Sequence, residues 1–534
     1  MKRLSNLRRL SLWLALFALL LTVLGCAPTA EEPDSLANTA GSAPAQLPQQ
    51  TDLAADESLL ITHGPLSGEV SATGANLWAR GSEPGTLQFT VIPLVEELDE
   101  EEDPLQDSAL AEELFATAEG AITATAVITT AQDLTGAAQV VGLESGQLYL
   151  YQVALATEAA IGEPRYGRFQ TAPDDETAAP FNFVFGGCLG GQGYCRTEEG
   201  WVIFDEMAAT SPEFFLLIGD GVYLDTACSA EGIIPGAEGP YTDLEGFRTR
   251  YRYHLEDPPY ANFLAQVPII PTWDDHEIIN DAGGPALNAI NPQLFQDSWQ
   301  AFFEYWPITA NQTDPNQIYR QISYGTQADF FVLDTRSYRD PNVNWDPHPR
   351  NLTPKTMLGA EQFAWLQAGL LDSTATWKFI VSSVPLSYPT GFPQPEVDGR
   401  DGWANFTEKS GYETELLSLI FFLEANNVDN VIFLTGDTHW PFALSYDPDR
   451  NGEPNFYELS SSPLSAIPLA PAAALDPTLN PTVLYAEGTF MGDLFNFGHI
   501  AIDEAGVLTF KVIDATGTER LEWSVEPEGA TADD

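Results

Sequence analysis

The stretch Phe214-Phe215-Leu216-Leu217-Ile218-Gly219-Asp220-Gly221-Val222-Tyr223 decides the fold. Its apolar run shows no polar alternation, so both faces of the strand it forms must be covered. The run breaks at a glycine, and a carboxylate and a phenol follow. Layered α/β folds collect their ligands at that carboxyl end of the strand. The same grammar recurs outward along the chain. Residues 182–185 lead into Gly186-Gly187-Cys188, and 267–270 into Trp273-Asp274-Asp275-His276-Glu277. Residues 329–333 run into Asp334-Thr335-Arg336, 377–384 form a further strand, and 431–434 lead into Thr435-Gly436-Asp437-Thr438-His439. Amphipathic segments lie between them; within 200–209, Trp201, Phe204 and Ala208 share one helical face.

Upstream of residue 181 the pattern differs. Alternating segments at 86–92 and 148–156, with turn residues between, predict strands. Residues 143–153 and 168–173 resemble the closing strands of an immunoglobulin- or fibronectin-type β-sandwich, placed at 57–173 and given no catalytic role. An acidic insertion at 96–103 reads as a solvated loop, because like charges repel. At the N-terminus, Lys2, Arg3, Arg8 and Arg9 precede an apolar run that ends Val23-Leu24-Gly25-Cys26. Basic, apolar and then small residues are the layout of a secretory signal over 1–25, and its end resembles the bacterial lipobox. The chain is therefore expected to be exported and held at the cell envelope by lipid on Cys26. Residues 26–56, rich in Ala, Pro, Gln and Ser, read as a flexible linker.

Charge narrows the partners. Against 22 Lys and Arg stand 77 Asp and Glu, a formal charge of −55. Nucleic acid is excluded by this reading, since phosphate recognition needs a basic face. An anionic substrate would also be repelled unless a local cation, most simply a metal, reversed the sign. The strand ends offer the donors: Cys188 on one, Asp220 and Tyr223 on the next, Asp274, Asp275 and His276 on a third, Asp437 and His439 on a fourth. Sulfur, oxygen and nitrogen donors gathered this way suit more than one metal, with Asp220 as the bridging carboxylate. Of six histidines only His276 and His439 fall in such motifs. His63, His254 and His348 read as structural or surface residues, and His499 as a residue of a late loop that could reach the site. With Cys26 lipidated, three cysteines remain, and both Cys195–Cys228 and Cys188–Cys195 are open pairings.

Taken in order, Phe185-Gly186-Gly187-Cys188, Leu217 to Tyr223, Trp273-Asp274-Asp275-His276-Glu277 and Leu434-Thr435-Gly436-Asp437-Thr438-His439 resemble the PhoD-type alkaline phosphatases. These belong to the calcineurin-like metallophosphoesterase superfamily and are related to purple acid phosphatases. Supporting blocks are Leu333 to Arg339, Leu358 to Leu366 and Asp401 to Phe406. The resemblance implies a layered β-sandwich catalytic domain, αββα-like and of the α+β class, over 181–527. It implies Fe3+ on Cys188, Asp220, Tyr223 and His439, with Asp220 bridging to Ca2+ held also by Asp275, Asn280 and Asp437. Zn2+, Mn2+ or Mg2+ are the alternatives. His276 would contact the phosphate or protonate the leaving group, Arg336 would pair with a phosphate oxygen, and Asp274 could orient His276. With Cys188 a metal ligand, the disulfide falls to Cys195 and Cys228.

The chain departs from the family pattern at Gly187, where a serine is usual, and at Gly221, where an aromatic is usual. Gly221 is expected to widen the space beside the metals. The implied reaction is hydrolysis of phosphate esters, monoesters first and diesters as a second class, by a hydroxide formed on the cations that attacks phosphorus in line. No Ser-His-Asp elbow is present. Two rival readings are a phosphodiesterase with another metal pair and a non-enzymatic calcium-binding surface lipoprotein; the second predicts degraded strand-end motifs, and every donor position is filled.

Overall fold

The computed structural model describes residues 54–94, 103–228, 232–309, 311, 313–350, 352–390 and 401–529. The signal segment, Cys26, most of the linker and nearly all of the acidic insertion lie outside these residues. Two large sheets organise the rest. The first centres on three parallel strands, Phe181–Gly186, Phe215–Ile218 and Ile269–Thr272, paired Phe185↔Leu216 and Leu216↔Ile270. The second centres on four parallel strands, Ala328–Val332, Trp377–Val381, Val431–Thr435 and Phe456–Ser460.

Both strand sets are apolar on both faces because each sheet is covered twice. Their inner faces meet in one core, where Phe183, Leu216, Ile218 and Ile270 lie against Phe330, Val332, Phe379 and Leu434. Phe183 stands edge-on to Phe330 at 5.2 Å and to Phe379 at 5.5 Å, a favoured quadrupolar geometry. Helices Leu244–Leu255, Pro258–Leu264 and Pro292–Tyr305 cover the outer face of the first sheet. Gly359–Asp372 and Glu413–Asn426 cover the second. The layering is helix, sheet, sheet, helix. Strand bounds differ from the sequence expectation by one to three residues, as in Ile269–Thr272 for 267–270.

The expected face of the helix at 200–209 needs correcting. The helix is Ile203–Ala209, with Ile203, Phe204 and Met207 buried; Trp201 precedes it, packed edge-on against His254. Residues 57–173 do form β-structure, and Leu148–Ala156 falls where the alternation placed it. Strands Ile61–Gly68, Gly74–Gly81 and Thr135–Val141 nevertheless continue the first sheet, through Ile269↔Gly68. Their apolar faces pack on a separate six-stranded sheet around Leu77, Phe89 and Tyr151. A helix not anticipated from sequence, Ser108–Thr117, is capped by Asp107. Among the described residues, no helix is long and apolar enough to cross a membrane.

Candidate metal centre

Four of the donor residues occupy left-handed backbone: Cys188 at φ 60°, Asp220 at 52°, Asp437 at 65° and His439 at 61°. A residue with a Cβ pays about 1–2 kcal/mol for that conformation, and such strain gathers at functional sites. The turns follow the strand ends, and the donor atoms they carry meet around Asp220. Gly187 allows the first and second loops to touch, since a Cβ there would lie 2.7 Å from the Gly219 carbonyl oxygen. The usual serine at this position could not be seated without a backbone shift. At Gly221 a Cβ would meet Leu217 Cδ2 at 2.6 Å, facing the core. The absent aromatic therefore does not open space beside the metals, contrary to expectation.

The donors converge in overlapping groups whose ligand atoms lie within 4.8 Å of one another. Cys188, Asp220 and His439 form one; Asp220, Asp275 and His276 a second; Asp220, Asp274 and Asp437 a third. Asp220 belongs to all three, the position of a bridging ligand. Asp275, Asp281 and Asp401 form a fourth. The Tyr223 hydroxyl lies 3.1 Å from Asp220 Oδ2 and 3.0 Å from His439 Nε2. The Ile467 carbonyl, 2.6 Å from His439 Nδ1, can only accept, so Nδ1 carries the proton and Nε2 keeps its lone pair on the side of Asp220 and Tyr223.

Burial makes this cluster unfavourable without a cation. Oxygens of Asp274, Asp275 and Asp437 have no hydrogen-bond donor. Burial, reinforced by neighbouring carboxylates, pushes Asp437 well above the carboxylate range. Asp220 is likewise driven well up by burial, and the Cys188 thiol and Tyr223 phenol rise for the same reason. Asp274 is raised to about 6 and Asp281 to about 7, again chiefly by burial. Burial takes His439 down to about 4, which leaves a neutral imidazole, the ligand form. Buried carboxylates that each keep one oxygen without a donor, a thiol and a neutral imidazole fit metal cations, which reverse these preferences.

Two expectations about the strand-end residues are corrected. Arg336 does not present its fork to an anion. It is fully buried; Nε meets Asp274 Oδ1 at 2.5 Å and the two terminal nitrogens grip Asp401 at 2.7 and 2.6 Å. Its charge is spent on holding carboxylates in place. Asp274 does not orient His276, because its Oδ1 accepts from Arg336 and from Ser383 Oγ at 2.5 Å. The partner of His276 is Asp225, with Oδ1 2.7 Å from Nδ1. Burial lowers the affinity of His276 for a proton, but Asp275, Asp220 and Asp225 together raise it well above the usual imidazole range.

Asp225 also accepts the Asn280 backbone N–H at 2.8 Å, and the Asn280 side chain lies on the exposed side of that turn. Glu277, which ends the Trp273 to Glu277 motif, has a structural task. It accepts from the backbone N–H of Gly221 at 2.6 Å, Asp274 at 3.0 Å and Asp220 at 3.1 Å, tying two strand-end loops together. Asp225 could have been found as the first acid beyond the Gly219 to Tyr223 motif. Asp281 and Asp401 carry no spacing signal. His499 does not reach the site: it sits on the strand Asn496–Ile502 with Nε2 on Asn182 Oδ1. Cys195 and Cys228 are disulfide-bonded and Cys188 is free.

The PhoD-like phosphatase family model matches residues 183–507. The chain belongs to that family. Alkaline phosphatase D of Bacillus subtilis (strain 168) is 27% identical over 339 residues, 59% of this chain; the match spans 55% of the relative, about half its length. Among solved structures, one of PhoD superposes with a TM-score of 0.66 at 20% identity, covering 89% of this chain and 94% of that one. A purple acid phosphatase, PPD1 from yellow lupin seeds, gives 0.58 at 10% identity, covering 86% and 74%. At these identities the two likenesses establish a shared metallophosphoesterase-like fold. In this PhoD-like chain all four strand-end donor motifs lie inside the family match.

Proposed function

We propose that the chain is a metal-dependent phosphoric ester hydrolase of the alkaline phosphatase D type, acting on phosphate monoesters, with diesters as the second substrate class to assay. One observation carries the reading: segments far apart in sequence bring Cys188, Tyr223, Asp275, Asp437 and His439 together around Asp220. Cys188, Tyr223 and His439, with one oxygen of Asp220, offer the thiolate, phenolate and imidazole set proposed for Fe3+. The other carboxylates, Asp275 and Asp437, offer the oxygen donors proposed for Ca2+; the Asn280 side chain, on the exposed side of its turn, would have to turn inward to join them. Cations held by these residues would supply positive charge at the phosphoryl group and Lewis-acid activation of the attacking water.

The protein's own part is positioning and proton supply. Asp225 fixes the ring of His276 through Nδ1, so Nε2 is the nitrogen left to protonate the departing alkoxide. Arg336, by holding Asp274 and Asp401, keeps the carboxylates at their stations. Glu277 keeps the Asp220 and Asp274 loops in register. Export, a lipid on Cys26 and an immunoglobulin-like N-terminal sandwich complete the proposal, and place the site at a membrane surface outside the cytoplasm.

The test is metal removal by chelation, followed by reconstitution with iron and calcium, or with zinc, manganese or magnesium, and assay on mono- and diesters. Activity should vanish with the metals and return with the correct pair. Full activity in a metal-free chain would overturn the proposal. Release of the Cys26→Ser variant from the membrane fraction would support anchoring, and retention would refute it.

A further inference from the structure

We infer that Arg250, clamped on the Thr226 carbonyl and the Cys195–Cys228 disulfide, is a positioning residue for the Asp225–His276 pair; this deepens the hydrolase reading and rests on it. Arg250 lies on the helix Leu244–Leu255 with no exposed surface. Among the described residues no carboxylate pairs with its guanidinium. Nη2 instead donates to the Thr226 carbonyl oxygen at 2.7 Å, and Nη1 meets the disulfide, against Cys228 Sγ and 3.7 Å from Cys195 Sγ. A buried charge without an ionic partner burdens stability, and an apolar side chain of similar volume would avoid that cost. What the guanidinium holds is therefore the informative part.

Thr226 follows Asp225, whose carboxylate fixes the His276 ring through Nδ1. Residues 225–227 belong to no helix or strand and rise from half-buried to exposed. The segment is tied at both ends. Leu224 N donates to His276 O at 2.9 Å, Tyr241 N to Leu224 O at 2.8 Å, and Cys228 N to Glu238 O at 2.8 Å. Among the described residues, the bond from Arg250 is the one hydrogen bond to the backbone between those ends. The same helix end holds the other half of the disulfide: Arg196, next to Cys195, donates to the Tyr253 and Glu256 carbonyl oxygens at 2.9 Å each. The Tyr241 ring, 5.7 Å from the guanidinium carbon of Arg250, closes the clamp. Without it the Thr226 peptide is free to turn, and Asp225 loses its aim at Nδ1. Asp220 and Gly221 are tied separately, by Glu277, so the loss falls on proton delivery and spares the metal ligands.

The experiment compares kcat of metal-loaded wild type, Arg250→Met, Asp225→Asn and the double variant on butyl phosphate and nitrophenyl phosphate, with bound metal measured in each. Arg250→Met should cost about 10–100-fold on the butyl ester, the loss typical of a residue that orients another, and several-fold less on the nitrophenyl ester, which departs without a proton. Added to Asp225→Asn, it should cost less than about twofold more, because both substitutions act on one ring. An arginine that only stabilises the fold lowers the folded fraction, which scales both esters alike. Equal losses on the two esters, or losses that multiply in the double variant, overturn the inference and leave the hydrolase reading intact. Arg250→Lys keeps one donor for the Thr226 carbonyl and serves if the Met variant does not fold. It should show a smaller loss with the same bias towards the butyl ester, and no loss or an unbiased one overturns the inference. Loaded wild type that turns over neither ester sinks the hydrolase reading, and this inference with it.

Discussion

Replacing Arg336 with lysine separates two roles that this residue could play. In the structure its guanidinium makes one contact to Asp274, two to Asp401 and a fourth to the Ala282 carbonyl at 3.2 Å, with no exposed surface. An ammonium keeps the charge but cannot bridge both carboxylates, so about two charge-assisted hydrogen bonds are lost. At about 1.5–3 kcal/mol each, the cost is about 3–6 kcal/mol, in the range for breaking a buried pair. For a chain of this size that is roughly a 3–6 °C fall in Tm. The assay is thermal unfolding of the metal-loaded wild type and variant, beside steady-state kinetics on one monoester. A substrate-binding arginine would show the opposite pattern: KM raised many-fold with Tm unmoved. That result would refute the positioning role.

Other expectations follow from single contacts. Asp225→Asn should lower kcat by about 10–100-fold, and the loss should be larger for alkyl than for nitrophenyl esters, which need no proton on departure; equal losses would contradict the His276 assignment. Tyr223→Phe should abolish visible absorption if the phenolate binds iron, and an unchanged spectrum would exclude it. Burial holds His499 at about 4, so above pH 6.5 its stabilisation is fully present. As pH falls from 6.5 towards 4 the unfolded chain binds a proton that the folded chain does not, and stability drops by roughly 2–3 kcal/mol. Urea melts of His499→Gln should show a weaker pH dependence in that window, and an identical one would be a failure. Replacing Cys195 and Cys228 with serine opens a loop spanning 33 residues and should cost about 3–4 kcal/mol, read by the same urea melts.

The parts of the fold that were readable are those with a repeated local cause. Strands such as Phe215–Ile218 and Val431–Thr435 are apolar throughout, so burial on both faces and a ligand edge followed directly. Cys188, Asp220, His276 and His439 stood out because each ends such a strand. What was not readable depends on contacts between distant segments. Arg336 looks like an anion fork until Asp401, 65 residues later, is seen to fill it. Asp274 sits beside His276 in sequence, yet the turn sends it to Ser383 and Arg336, and the imidazole finds Asp225, 51 residues earlier. Gly221 looked like space beside the metals because sequence does not say which way a Cβ points. The continuation of the catalytic sheet into 61–81 and 135–141 is likewise a pairing that no local pattern announces.

Anomalous diffraction from crystals of catalytically active protein tests the central claim most directly. More than one cation should appear, one within bonding distance of Cys188, Asp220, Tyr223 and His439 and another sharing Asp220 with Asp275 or Asp437. Active crystals with no anomalous scatterer among these side chains would contradict it.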